Sequence, residues 1–371
     1  MNRGLSLYFD LLRALAAFEV FIFHMNRFRS IGLPFAWWNS YGHEAVVLFF
    51  VLSGFVITFA AGERDRTLER YIVSRLSRIL SVAVPAVLLT YVADRIGHAV
   101  NPALYAPFPL TQPIVRLVAG LTLLNESWVS IQIFSNTPIW SIGYEFWYYF
   151  LFASTFFLRG RLRIVSFVAV AVIAGPRALL MFPIWLIGSW AYRERWSARL
   201  PRPAIVALAV GPLIGVWAYV AQGWHARGDA ILIGVVGSRA WHDGLHWSQD
   251  ILSDGALGLL IGAHFIGMRG LGPAIERVLG PVSRSVRFVA AYSFTLYALH
   301  QPMILLFTAT LGSAALPVTP FSVGGLVLGV VLLVGTLTER QRDRLRPIFS
   351  RLLTSLVPAR VLAASHSRGI P

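Results

Sequence analysis

Residues 44–61 read EAVVLFFVLSGFVITFAA, and after Glu44 no charged residue interrupts the run. A helix needs roughly 20 apolar residues to cross the hydrocarbon core of a bilayer, so this stretch predicts a transmembrane helix. Comparable runs recur at about 5–24, 79–97, 138–158, 163–181, 182–192, 204–221, 249–267, 288–309 and 321–338. Together they predict an all-α, polytopic transmembrane helix bundle of about ten spans. The run at 182–192 is short and its boundary with the preceding one is poorly marked. Residues 113–124 are apolar but too short to span, which predicts a re-entrant or interfacial helix there.

Composition agrees. The 371 residues are 56% hydrophobic and only 13% charged, whereas a soluble domain is roughly a quarter charged. Polar gaps between the runs are short, so the reading is one transmembrane domain over 1–340 followed by a basic cytoplasmic tail over 341–371. The net charge of +15 does not point to nucleic acid, because the basic residues lie between hydrophobic segments and not on surfaces with aromatic stacking platforms. All 32 basic residues are Arg, and there is no Cys. Disulfides, thiolate nucleophiles and Cys-ligated metals are therefore excluded. The first run carries Asp10, Arg13 and Glu19 and lacks a small-residue cleavage site, so it is expected to be a retained helix and not a signal peptide.

Arginine also sets an expected orientation, since cytoplasmic loops carry the excess of basic residues. With both termini cytoplasmic, 24 of the 32 Arg fall inside, including Arg64, Arg66 and Arg70 and the tail's Arg360 and Arg368. The outer loops then hold only Arg27, Arg29, Arg116, Arg227 and Arg239. The long outer connections 98–137 and 222–248 contain Trp128, Trp224, His225, Trp241, His242, His246 and Trp247. Trp at such places commonly forms an interfacial belt; stacking on sugar rings is its other use.

Ionisable groups at bilayer depth cost a few kcal/mol and face the interior or a water-filled cavity, so they mark candidate sites. Arg13 and His24 lie eleven residues apart, about three helical turns, which puts them on one face roughly 16 Å apart along the axis. Arg75 and Arg78, spaced i, i+3 at the entrance to the third helix, can grip a phosphate or pyrophosphate; positive-inside anchoring is the alternative. In the segment PIWSIGYEFWYYF, Ser141 and Glu145 share a face, as do Trp140 and Tyr144. In YSFTLYALHQP, Tyr297 and His300 are i, i+3 neighbours, with Pro302 just beyond. Ser53 and Gly54 are small residues whose default use is close helix packing. His24, His300 and Glu145 could ligate zinc if they converged, but no HxxxH or HExxH pair supports it, and no metal is expected.

These segments resemble acyltransferase family 3, the membrane proteins that include O-antigen, exopolysaccharide and Nod-factor O-acetyltransferases. FDLLRALAAFEVFIFH, with Arg13 and His24, resembles the family's opening motif, and HEAVVLFFVLSGFVI its second-helix motif. RLSRIL carries Arg75 and Arg78 where the family has a basic motif. PIWSIGYEFWYY is similar to its Trp-Ser-x-x-x-Glu segment with Trp140, Ser141 and Glu145, and SFTLYALHQPM is similar to its late motif. Leu11 and Ala45 stand where Gly is common, Ser81 where Pro is frequent, and Phe294 and Ala298 alter the late motif.

The resemblance implies an O-acyltransferase in the cytoplasmic (inner) membrane of a bacterium. It would move an acyl group, acetyl above all, from acetyl-CoA or another acyl-CoA to a hydroxyl of a lipid-linked or cell-surface glycan. The expected partners are acyl-CoA, a carbohydrate acceptor and membrane lipid. In that scheme Arg75 and Arg78 hold the CoA phosphates, Arg13 lies along the channel and His24 is the general base. Glu145 orients or charge-stabilises a histidine, while Trp140, Ser141, Tyr297 and His300 shape the acceptor pocket. Direct transfer is the preferred route; an acyl-enzyme on His24 or Ser141 is the alternative. A glycan-lipid transporter explains the bundle and its charges but not the five motifs.

Overall fold

The computed structural model describes residues 1–27 and 41–356. Arg29, Arg360 and Arg368, used above for orientation, lie outside the described residues. Among the described residues there is no strand. The helices are α1 Arg3–Arg27, α2 Gly42–Glu63, α3 Leu68–Val100, α4 Pro102–Tyr105, α5 Pro113–Leu121, α6 Ile139–Phe156 and α7 Gly160–Arg193. They continue with α8 Arg202–Ala221, α9 Trp224–Val236, α10 Ile251–Gly270, α11 Gly272–Leu279, α12 Ser283–Ala290, α13 Ser293–Ser313, α14 Pro320–Leu337 and α15 Arg346–Leu356.

Seven of the described helices are long and apolar enough to cross a membrane: α2, α3, α7, α8, α10, α13 and α14. The chain is a membrane protein. Helix α1, with Asp10, Arg13 and Glu19, and helix α6, with Glu145, fall outside that set yet pack inside the bundle, α1 on α2 and α13 and α6 on α3 and α7. Charged helices tolerate that place only if their polar groups meet one another or a cavity.

Three boundaries differ from the sequence reading. The third helix begins at Leu68 and not near 79, because the Thr67 side chain accepts the Arg70 N–H as an N-cap. Arg75 and Arg78 thus sit within α3, on a helix that continues well beyond its apolar part. The runs 163–181 and 182–192 form one element, α7, broken at Gly175 with φ 81° and ψ 169°. Gly-Pro explains the position: Pro176 disfavours a helical residue before it, and a Cβ on Gly175 would lie 2.3 Å from the Ser127 carbonyl oxygen. The 288–309 run is split between α12 and α13. The apolar stretch near 113–124 is the nine-residue helix α5, too short to span.

The non-helical chain before α6 is tied down by side chains, as backbone at this depth must be. Asn136 Nδ2 donates to Thr90 Oγ1 at 3.0 Å and to the Ala298 carbonyl at 2.9 Å, bridging α3 and α13. Gln301 Nε2 donates to Thr137 Oγ1 at 3.1 Å. These bonds fix where α6 starts, and with it Trp140, Ser141 and Glu145.

Candidate active site

Three features line up along the bundle. The first is a basic basin of about 650 Å³ at one end, walled by Arg64, Arg70, Arg75, Arg78, Arg342 and Arg346 together with Asp65 and Glu69. The last two arginines come from the segment read as a tail, which returns to the bundle: Ser350 Oγ donates to Glu69 Oε1 at 2.8 Å. Arg75 is buried, bonded to Asp65 at 2.8 Å and packed over the rings of Tyr71 and Tyr149. Arg78 lines the basin, a neighbouring basic pocket with Arg287 and Arg340, and the central cavity.

The second feature is that central cavity, only about 60 Å³, reached past Arg75 and Arg78 and lined also by Arg13, Ser53, Ser141, Glu145, Tyr149 and Tyr297. Glu145 Oε1 accepts from Ser53 Oγ at 2.5 Å and from Tyr149 OH at 2.6 Å. Ser53 in turn accepts from Trp185 Nε1 at 3.1 Å. Arg13 bonds Asp10 at 3.1 Å and interacts electrostatically with Glu145, Glu339 and Arg78. Ser141 and Tyr297 hydroxyls are 2.5 Å apart. One carboxylate, the hydroxyls of Ser53, Ser141, Tyr149 and Tyr297 and three arginines therefore meet in a slot wide enough for an extended chain only after side chains move.

The third feature is a histidine pair. His300, fully buried, has Nδ1 2.9 Å from the Tyr297 carbonyl and 3.1 Å from that of Leu296. A carbonyl only accepts, so Nδ1 carries the proton and Nε2 the lone pair. That lone pair faces His24 Nδ1 at 3.1 Å, and the same His24 nitrogen is 2.9 Å from the Val20 carbonyl. His24 Nδ1–H is shared between two acceptors, which leaves His24 Nε2 as its lone-pair nitrogen. The arrangement is that of a neutral imidazole held in one tautomer, ready to accept a proton.

The structure thus brings His24 to His300, Ser141 to Tyr297, and Arg13, Arg75, Arg78 and Glu145 to one cavity. It does not bring Glu145 to a histidine: its described hydrogen bonds run to Ser53 and Tyr149. Trp140 lies between two rings, stacked on Trp247 at 5.1 Å and on His43 at 6.3 Å between centroids. Sequence reasoning took Ser53 for packing alone and passed over Tyr149, whose i, i+4 spacing from Glu145 was the available signal. Arg342 and Arg346 were legible as basic but not as part of a basin.

A family model described as an acyltransferase domain matches residues 6–340. No curated protein and no solved structure matches the chain.

Proposed function

Because the chain belongs to acyltransferase family 3, we propose that it transfers an acyl group, acetyl first among candidates, from cytoplasmic acyl-CoA to a hydroxyl of a lipid-linked or cell-surface glycan. The observation that carries this reading is the alignment of a basic basin, a central slot and a neutral histidine pair along one axis. The basin suits the phosphates of CoA, which arginine binds by charge-assisted, often bidentate bonds. The slot suits the pantetheine arm, with Arg13 beside the arm and the thioester carried on to the histidine pair.

At the far end the acceptor oxygen attacks the thioester carbonyl carbon while its proton passes to His24 Nε2. The C–S bond then breaks, the thiolate takes up the proton, and an O-acyl ester and free CoA leave. His300 and Tyr297 position His24 and the acceptor; Trp140 and Ser141 border that pocket. Glu145, tied to Ser53 and Tyr149, balances Arg13 in the slot. We take the transfer as direct: Ser141, paired with a tyrosine, has no base beside it to activate it as a nucleophile, and the His24 Nε2 lone pair serves as the base.

We place both termini in the cytoplasm of a bacterial inner membrane, with ten spans: α1, α2, α3, α6, the two arms of α7 either side of Gly175, α8, α10, α13 and α14. The arginine distribution supports this orientation.

The test is transfer of labelled acetyl from acetyl-CoA into the glycan fraction of membranes containing the protein. Release of free CoA that requires both the protein and those glycans supports the proposal; acetyl-CoA left intact while a glycan lipid crosses the bilayer would establish the transporter class instead. Arg78→Ala supplies a finer prediction. Losing a hydrogen bond to a charged group costs about 1.5–3 kcal/mol, so KM for acetyl-CoA is expected to rise about tenfold or more, with a smaller change in kcat. Initial rates at varied acetyl-CoA check it, and an unchanged KM would remove Arg78 from the phosphate site.

A further inference from the structure

At the end of the bundle that holds His24, a second group of polar residues stands outside the machinery described above. His225 and Asp229 occupy the first turns of α9 at i, i+4 spacing, on one face. Asp250 stands at the N-cap of α10, where a carboxylate ordinarily accepts a helix N–H, yet its side chain makes no capping bond. It turns to α9 instead. His225 Nε2 is 3.7 Å from Asp229 Oδ2 and 3.8 Å from Asp250 Oδ1. The two carboxyls are themselves close enough to interact, and one ligand atom from each of the three residues falls within 4.8 Å of the others.

We propose that His225, Asp229 and Asp250 bind a divalent first-row metal ion of the Zn2+ or Mn2+ class. Three observations carry it. Asp250 is only 7% exposed, and its Oδ1, like Asp229 Oδ1 and His225 Nδ1, is buried without a hydrogen-bond partner among the described residues. A buried polar atom left without a partner is costly, and each of the three residues carries one: a carboxylate oxygen on Asp229 and Asp250 and a ring nitrogen on His225. The charge also fails to balance. Glu44 and Asp254 join Asp229 and Asp250 nearby, and His43 already donates to Asp254 at 2.8 Å and 3.0 Å. His43 also lies 3.6 Å from Asp250 Oδ2, so two histidines, His43 and His225, face four carboxylates.

Spacing is the third. The separations of 3.7 and 3.8 Å are too long for hydrogen bonds. They approach the distance of about 3.4 Å that bonds of about 2.1 Å set between two ligands on a tetrahedral metal. One imidazole and two carboxylates suit Zn2+ or Mn2+. A fourth position would open to the adjoining cavity of about 420 Å³, lined by Phe23, Tyr41, His43, Glu44, Tyr219 and His225. Filled, the site would clamp α9 onto the start of α10 and fix the aromatic connection beside His24. The inference stands apart from the acyl-transfer reading, because metal binding is measured on the protein alone.

The experiment uses the full chain in detergent, purified without a polyhistidine tag, stripped with chelator and dialysed against Zn2+. Metal analysis is expected to find about one tightly held Zn2+ per chain. His225→Ala and Asp229→Asn should each weaken it at least about tenfold, by analogy with the loss of even outer-shell partners. His242→Ala, an exposed histidine in the same connection, should change nothing. The zinc-edge absorption spectrum of the parent should show N/O coordination with a single imidazole, a readout that does not depend on any variant folding. Absence of stoichiometric Zn2+, survival of binding in both variants, or a spectrum with two or more imidazoles would each overturn the proposal.

Discussion

His24→Ala is expected to reduce acyl transfer by about 100-fold to 10,000-fold, the usual worth of a positioned general base, while leaving KM for acetyl-CoA within about threefold, since only interactions of the bound ground state set it. The reason lies in the tautomers. His300 receives the His24 Nδ1–H on its Nε2, and its own Nδ1–H is held by the carbonyls of Leu296 and Tyr297. Each proton is therefore assigned, and the only imidazole lone pair of the pair left for a substrate is on His24 Nε2. Methyl substitution removes it outright. Initial rates of labelled acetyl transfer, normalised to protein abundance, measure the effect; retention of more than a tenth of the parental rate would assign the base to another residue.

His300→Ala should behave differently. His24 Nδ1–H keeps the Val20 carbonyl as an acceptor at 2.9 Å, so the reactive tautomer survives and only its orientation loosens. A fall of about tenfold is expected, and His300→Gln, whose amide can still accept from His24, should recover part of it. Equal losses in His24→Ala and His300→Ala would mean that the two rings act as one unit.

Helices were legible wherever apolar length alone identifies them, as at 44–61 and 204–221. They were misjudged where another force extends or interrupts the helix. Arg70, Arg75 and Arg78 lower the hydropathy of α3, yet capping by Thr67 and packing of Tyr71 keep that stretch helical. At Gly175-Pro176 the dipeptide was a readable breaker, overlooked because the span was judged on length. The site followed the same division. Same-helix pairs such as Arg75 with Arg78 can be read from spacing, but the His24–His300 contact joins residues 276 apart in the chain, and no local pattern contains it. Ser141 and Glu145 share a face of α6 and nevertheless find different partners, Tyr297 on α13 and Ser53 on α2. The pair His225 and Asp229 was legible by the same i, i+4 rule, but its third member, Asp250, comes from another helix.

Gly54→Val is expected to prevent recovery of folded protein. A Cβ at Gly54 would stand 1.9 Å from the Trp185 carbonyl oxygen and 3.0 Å from the Ser189 amide nitrogen. Neither is a flexible side-chain end; both are helix backbone, so α2 and α7 must separate. The contact is reciprocal, since a Cβ at Gly188 would lie 1.8 Å from the Val51 carbonyl oxygen, and relief at one point forces a gap along the whole seam. Lipid supplies no hydrophobic pressure to hold helices together, so close packing at small residues carries their association. Overpacking costs about 1–3 kcal/mol where side chains can yield, and more is expected here because the obstacle is backbone. The seam also holds the slot: Trp185 donates to Ser53, and Ser53 donates to Glu145. Gly54→Ala places the same Cβ against that carbonyl without valine's two further methyls, and should lower the melting temperature by several degrees or more and reduce acyl transfer together with it. Gly211→Ala, with nothing within 4 Å of its Cβ position, should do neither. Size-exclusion profiles and thermal melts in detergent make the comparison. A monodisperse Gly54→Val protein melting at the parental temperature would show that the α2–α7 seam is looser than these separations, and that Glu145 is held in place by something other than this contact.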